Sequence, residues 1–219
     1  MKLKKIASLA LAGIMAVSML AGCKGATDPT EPENPVVPAG SSIASYLNTL
    51  LSEDQAKNIE FTENASLRTA LNDAAAKQSV VTKTMVDSAT TTVKMYSAEE
   101  STAVTTEMLK SFTSGTFATN SFPTWAKATP ADKSGTDYYL WTCIYDGDMS
   151  DLAVANALYS GWTDGLNALT SNSVNNKNCD WSGAVSAVKV YNNTDPDSSA
   201  WVVAVMITKT VSDIANTVQ

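Results

Sequence analysis

Eight residues near the C-terminus, Ala200-Trp201-Val202-Val203-Ala204-Val205-Met206-Ile207, run without a charge or a hydroxyl. The valine density marks a β-strand, and the unbroken apolar character predicts burial on both faces, hence a central position in a sheet. A second valine-rich run, Ala184 to Tyr191, precedes it, and NNTDPDSS (Asn192 to Ser199) supplies the polar connection, so the two predict a β-hairpin. The rest of the chain has to cover both sides of that hairpin.

The stretch Asp137 to Leu169 is the next strongest signal. Tyr138 to Tyr145 is aromatic and β-branched, with Tyr139, Trp141, Cys143 and Tyr145 alternating against Tyr138, Leu140, Thr142 and Ile144, which predicts a strand covered on both sides. Asp146-Gly147-Asp148 predicts a turn, Ser150 an N-cap, and Asp151 a favourable charge in the first turn of a helix. Leu152, Ala155, Leu158, Tyr159, Trp162, Leu166 and Leu169 form the apolar stripe expected of its core face.

Earlier segments read as helices. Ile43, Tyr46, Leu47, Leu50 and Leu51 share a helical face behind Ser41 or Ser42 as cap. A longer helix is expected from about Ala65, its apolar side made by Leu67, Ala70, Leu71, Ala74, Val81 and Met85. Thr90 to Tyr96 has strand-like composition. Ser97 and Glu100 form a capping box ahead of Val104, Met108, Leu109 and Phe112, with Gly115 as the stop. Thr116 to Thr136 reads as a loop whose Phe117, Phe122 and Trp125 are expected to fold down over the core rather than form a lip. Helices before and between antiparallel strands predict an α+β layered domain.

The N-terminus predicts where the protein resides. Lys2, Lys4 and Lys5 precede an apolar stretch, Ile6 to Leu20, and Leu20-Ala21-Gly22-Cys23 follows. This resembles the processing site of bacterial lipoproteins, and the resemblance implies cleavage before Cys23 and lipidation of its sulfur, giving a membrane-anchored, extracytoplasmic protein. The alternative is an ordinary secretory signal with a cysteine near its cleavage site. The predicted organisation is a signal peptide over 1–22, a lipidated cysteine and proline-rich tether over 23–40, and a globular domain over 41–219. Pro29, Pro32, Pro35 and Pro38 make the tether an extended, semi-rigid spacer.

Composition narrows the chemistry. The formal charge is −7, and losing Lys2, Lys4 and Lys5 with the signal takes it to −10, which argues against nucleic acid reached through a basic face. The chain contains no histidine, so the commonest general base and metal ligand are both missing. No CxxC, P-loop or G-x-G-x-x-G occurs, and no cofactor is expected. Asp146, Asp148 and Asp151 place three carboxylates around a glycine, a candidate site for a hard cation such as calcium, although a turn and an acidic helix start explain the same residues. Ser186-Ala187-Val188-Lys189 satisfies S-x-x-K, but in a strand rather than at a helix start. Cys143 and Cys179 either form a disulfide or stay as two separately buried thiols.

The order of elements from Gly161-Trp162 through Gly183 to Val188 and on to Trp201 to Ile207, with an alanine-rich early helix at Leu67 to Gln78, is similar to CAP-superfamily domains, the cysteine-rich secretory, antigen and pathogenesis-related proteins. The resemblance implies a three-layer α-β-α sandwich with a mainly antiparallel sheet. Its metal-binding cleft does not carry over. The family's acid falls near Ile144 to Asp148, where Asp146 or Asp148 could stand in, and its second histidine segment falls near Gly165-Leu166-Asn167, where no histidine stands. The function expected is a non-catalytic CAP-like binding or interaction module at the cell envelope, its partner a cell-wall component, lipid or surface protein met by aromatics such as Trp125, Tyr138 and Tyr139. The alternatives are a carboxylate-based envelope hydrolase and an adhesin or scaffold piece without a small-molecule site.

Overall fold

A computed structural model of the 219-residue chain describes residues 36–38, 42–89, 98–118, 122–127, 134–169 and 177–213. The strand expected at Thr90 to Tyr96, the cap expected at Ser97 and Cys23, where lipidation is expected, lie outside the described residues. In chain order the elements are β1 (Val36–Pro38), α1 (Ser42–Leu50), α2 (Glu53–Ala56), β2 (Phe61–Thr62), α3 (Ala65–Ala75), α4 (Lys83–Asp87), α5 (Ala98–Leu109), β3 (Thr116–Phe117), α6 (Phe122–Lys127), β4 (Gly135–Asp146), α7 (Asp151–Leu166), β5 (Lys177–Asn192) and β6 (Asp195–Asp213). The fold is α+β, and no helix among the described residues is long and apolar enough to cross a membrane.

The sheet is mixed. Its strands run β1-β5-β6-β4-β3, and β2 joins it by pairing with β5. β6 occupies the middle as its apolar run requires, antiparallel to β4 along one side and to β5 along the other. β1 is antiparallel to β5, whereas β2 on β5 and β3 on β4 are parallel. The hairpin strands extend beyond the expected limits, reaching Asn192 and Asp195, so the connection is tight. β1 adds an unexpected element: Val36 to Pro38, read from sequence as the end of the tether, pair with Val188 to Val190.

Register sets the faces. Odd-numbered residues of β4, β5 and β6 lie on one face and even-numbered ones on the other. The odd face carries Cys143, Val185, Val203, Val205 and Ile207 against Ile43 and Leu47 of α1, Phe122 and Trp125 of α6, and Val154, Leu158, Trp162 and Leu166 of α7. The even face carries Ile144, Val188, Val202 and Ala204 against Leu67, Leu71 and Ala74 of α3, Met85 of α4, and Val104 and Met108 of α5. Each fully buried leucine or valine side chain contributes about 1.5–3 kcal/mol relative to exposure.

Three helical expectations are corrected. The single long helix from Ala65 is two, because Val80 and Val81 turn inward with their N–H groups donating to Lys77 O (3.0 and 2.9 Å), and Thr82 then caps α4. The loop between Gly115 and Thr136 holds α6, and Phe122 and Trp125 are buried as expected. On α7, Val154 and Ala157 turn inward while Leu152 is 45% exposed, and the helix ends at Leu166. The buried face of α7 is centred between Leu158 and Val154, and Leu152 falls off its edge.

Two short connections are docked by rings lying on glycines. A Cβ at Gly183 would sit 2.5 Å from Phe61 Cδ1, so the ring that closes β2 onto β5 needs hydrogen at that position. Gly183→Ala is therefore expected to lower the unfolding free energy by about 1–3 kcal/mol through overpacking, measured by urea denaturation. An unchanged midpoint would mean that Phe61 does not rest on the strand.

Candidate functional site

The described side chains with the most varied chemistry gather on the odd face at the end of the sheet where β4 and β5 begin. Asp137, Lys209 and Trp181 are cross-strand neighbours there. Lys209 is only 4% exposed, and its Nζ lies 5.4 Å from the Trp181 ring centroid and 5.9 Å from that of Trp125. A charge removed from water needs compensating partners, and indole faces supply some of that attraction. Trp125 meets Trp181 edge-on at 5.4 Å and Tyr139 at 5.7 Å, and Phe122 lies 5.2 Å from Tyr139. α6 thus acts as a cover, its Phe122 ring pressed on Gly165 of α7.

Of the aromatics expected at a binding surface, Trp125 and Tyr139 belong to this cluster. Tyr138, one residue along the strand, faces the other way and stacks on Phe117 at 5.3 Å. The cluster is packed, not open. Among the described residues a shallow groove of about 350 Å³ lies elsewhere, between α3 and Ser111, lined by Ser66, Thr69 and Asp73. Burial pushes the Tyr139 hydroxyl above its ordinary pKa, a hydrogen bond with the Phe122 backbone partly opposing it.

The other candidates separate. Asp146 Oδ1 accepts from the backbone N–H of Asp148 (2.8 Å), and Asp151 accepts from the Ser42 hydroxyl, so both work as turn and helix-start groups. No group of three His, Cys, Asp or Glu able to hold a metal occurs among the described residues. The two segments singled out for the expected acid and the missing histidine, Asp146 to Asp148 and Gly165 to Asn167, flank opposite ends of α7, whose 16 residues span about 24 Å. Ser186 and Lys189 project from opposite faces of β5, which removes the S-x-x-K pairing.

The cysteines are both buried and free. Register excludes a bridge: Cys143 is opposite Val203 and Cys179 opposite Val211, eight residues apart on β6 or about 26 Å at ~3.3 Å per residue. A disulfide spans at most about 7 Å between Cα atoms. Burial pushes the Cys143 thiol up to about 12. Burial also raises Cys179, against a lowering pull from Lys209. Neither is a thiolate nucleophile near neutral pH.

Two features were missed in the sequence. Lys209 follows Ile207 and precedes Val211 on a buried face, so strand alternation alone marks it as an inward lysine. Ser134 Oγ accepts from Lys177 Nζ (3.1 Å) and donates to Asp213 Oδ2 (3.0 Å), while Lys177 also pairs with Asp213. The Ser134 hydroxyl donates to Asp213 rather than to the lysine, so the three groups form an ion-pair network at the strand ends and not a serine–base couple. No family model matches the chain, and no curated protein or solved structure matches it.

With Cys23 replaced by serine, the folded chain is expected to contain two thiols that react with a disulfide reagent at pH 8 only after denaturation, and its melting temperature is expected to be indifferent to reductant. A Cys143–Cys179 cross-linked peptide in a non-reducing digest would overturn the register.

Proposed function

We propose that the protein is an extracytoplasmic lipoprotein, anchored through Cys23, whose globular part is a non-catalytic CAP-like binding module at the cell envelope. The anchor rests on Leu20-Ala21-Gly22-Cys23 behind a basic start and an apolar run. Two attached acyl chains, at about 0.8 kcal/mol per buried CH2, hold such a chain durably on a membrane.

A three-layer α-β-α arrangement with a mainly antiparallel sheet is the finer reading of the fold. It is supported by the helices of two cores meeting opposite faces of the hairpin, and by the antiparallel pairing of β4, β5 and β6 over their long registers. The element order of alanine-rich helix, strand, capped helix and final hairpin agrees with the CAP likeness. A fold alone does not assign an activity.

The observation that carries the binding reading is the indole pair around Lys209 beneath α6. Indole faces pack against sugar and acyl surfaces, and an ammonium donates to a carboxylate or phosphate. The ligand class this favours is an acidic cell-wall fragment.

Two measurements test the proposal. Cys23→Ala is expected to move the protein from the membrane to the soluble fraction, with loss of the acyl mass on its N-terminal peptide; retention of the variant on the membrane would sink the anchor. In the anchored protein, muropeptides are expected to raise the melting temperature and change tryptophan emission, with about 2.7 kcal/mol of stabilisation at 100 times the dissociation constant. A flat titration would remove the cell-wall ligand and leave a surface-protein partner.

A further inference from the structure

The even face of the sheet changes character at one rung. From the β5–β6 turn as far as Leu140, Met206 and Ala184 it is buried beneath α3, α4 and α5. One rung further on, Tyr138, Thr208 and Ser182 stand abreast, and the next rung aligns Thr136, Thr210 and Asp180. Thr136, Thr210, Asp180 and Ser182 are exposed, and Tyr138 and Thr208 are half-buried. On the odd face the same rungs stay covered, with Lys209 and Trp181 buried beside Trp125 of α6. A pattern that turns polar on one face only, at the same level in three strands, leaves a flat surface about 10 Å across, two strand spacings wide.

The chemistry of this surface is uniform. Its hydroxyls and the Asp180 carboxylate make no hydrogen bond or ion pair with another described residue. Each hydroxyl both donates and accepts, as a sugar hydroxyl does, and a carboxylate accepts from such groups. The side chains are short, so little rotamer freedom is lost when a ligand orders them. At the inner end the Tyr138 ring is fixed, stacked on Phe117 at 5.3 Å and lying on Gly115, where a Cβ would sit 2.6 Å from its Cε2. Such a ring offers the apolar surface against which the C–H side of a sugar packs. Phe117 in turn meets Phe112 at 5.7 Å, next in the chain to Ser111, and Ser111 lines the groove of about 350 Å³ with Ser66, Thr69 and Asp73. The groove repeats the chemistry of the sheet face: hydroxyls and one carboxylate. No cation is offered by either, for Arg68 and Lys110, beside Thr69 and Ser111 in the chain, pair with Glu63 and Glu107. An anionic polymer would meet only Asp180 and Asp73 there, so charge selects a neutral one.

We propose that this uncovered face is a second binding site, which takes a neutral polysaccharide strand laid across β4, β6 and β5 with one sugar packed on Tyr138. It lies on the opposite side of the sheet from the Lys209 cluster and differs from it in the ligand selected. Neither the anchor nor the acidic ligand is needed for it.

The test is calorimetric titration of the full chain, in mild detergent, with neutral oligosaccharides of β-linked glucose, mannose and N-acetylglucosamine. At least one is expected to bind, and the double variant Thr208→Ala/Thr210→Ala is expected to weaken it at least about tenfold through two lost hydrogen bonds. Asp180→Ala, a single change at an exposed position, is expected to weaken the same ligand and serves alone if the double variant does not fold. An excess of acidic muropeptide is expected to leave the glycan bound. Four results overturn the proposal: no binding of any neutral glycan; binding that the folded variants retain; displacement by muropeptide, which places the glycan on the Lys209 side; or a dimeric mass in light scattering that Thr210→Arg reduces to the monomer's, which gives the face to a second copy.

Discussion

The structure depends on one strand that cannot touch water on either side. β6 pairs along most of its length with β4 and β5, and its residues Ala200 to Ile207 are buried on both faces. Its backbone groups find partners in those neighbours, which a buried strand requires. Its side chains need helices above and below. The odd-face cover is divided between α1, α7 and α6, and the even-face cover between α3, α4 and α5. The short strands β1, β2 and β3 occur only as fringe pairings on the outer sides of β5 and β4.

Cover of this kind is tight where glycine allows it. Phe61 lies on Gly183 and Phe122 on Gly165, so the neighbouring backbone is approached by a ring rather than a second side chain. Polar fasteners fill the gaps: Gln55, buried between α2 and α7, donates to Asn167 (2.7 Å) and accepts from Tyr159 (3.1 Å). A paired hydroxyl couple, Thr105 and Thr142 at 2.9 Å, does the same between α5 and β4. Such groups fix relative positions because leaving a buried donor or acceptor unmet costs about 1–3 kcal/mol.

What sequence reveals here follows the length of each pattern. Ala200 to Ile207, Tyr138 to Tyr145, the apolar face of Ile43 and Leu47, and the capped start at Ser150 are long or chemically marked, and each becomes the element expected. β1, β2 and β3 are two or three residues each, too short for any periodicity. The break between α3 and α4 was hidden because Val81 and Met85 continue the apolar spacing across a turn. Leu152 looked inward because it is apolar, but which way α7 faces is decided by contacts far away in sequence. The cysteine question needed strand register, which no local pattern contains. The Lys209 cluster needed α6 to be folded over it, and the sequence there shows only turn residues and aromatics.

The pairing of Val36 with Val190 joins residues about 150 positions apart. Closing a loop of that size is entropically costly, and it waits until the other partner is in place. The earliest strand of the domain therefore has no template until the final hairpin has formed. The sheet has no centre until β6 is present, so the native pairing of β1, β4 and β5 depends on the β5–β6 hairpin. Truncation there removes the centre of the sheet and with it both layers of helices.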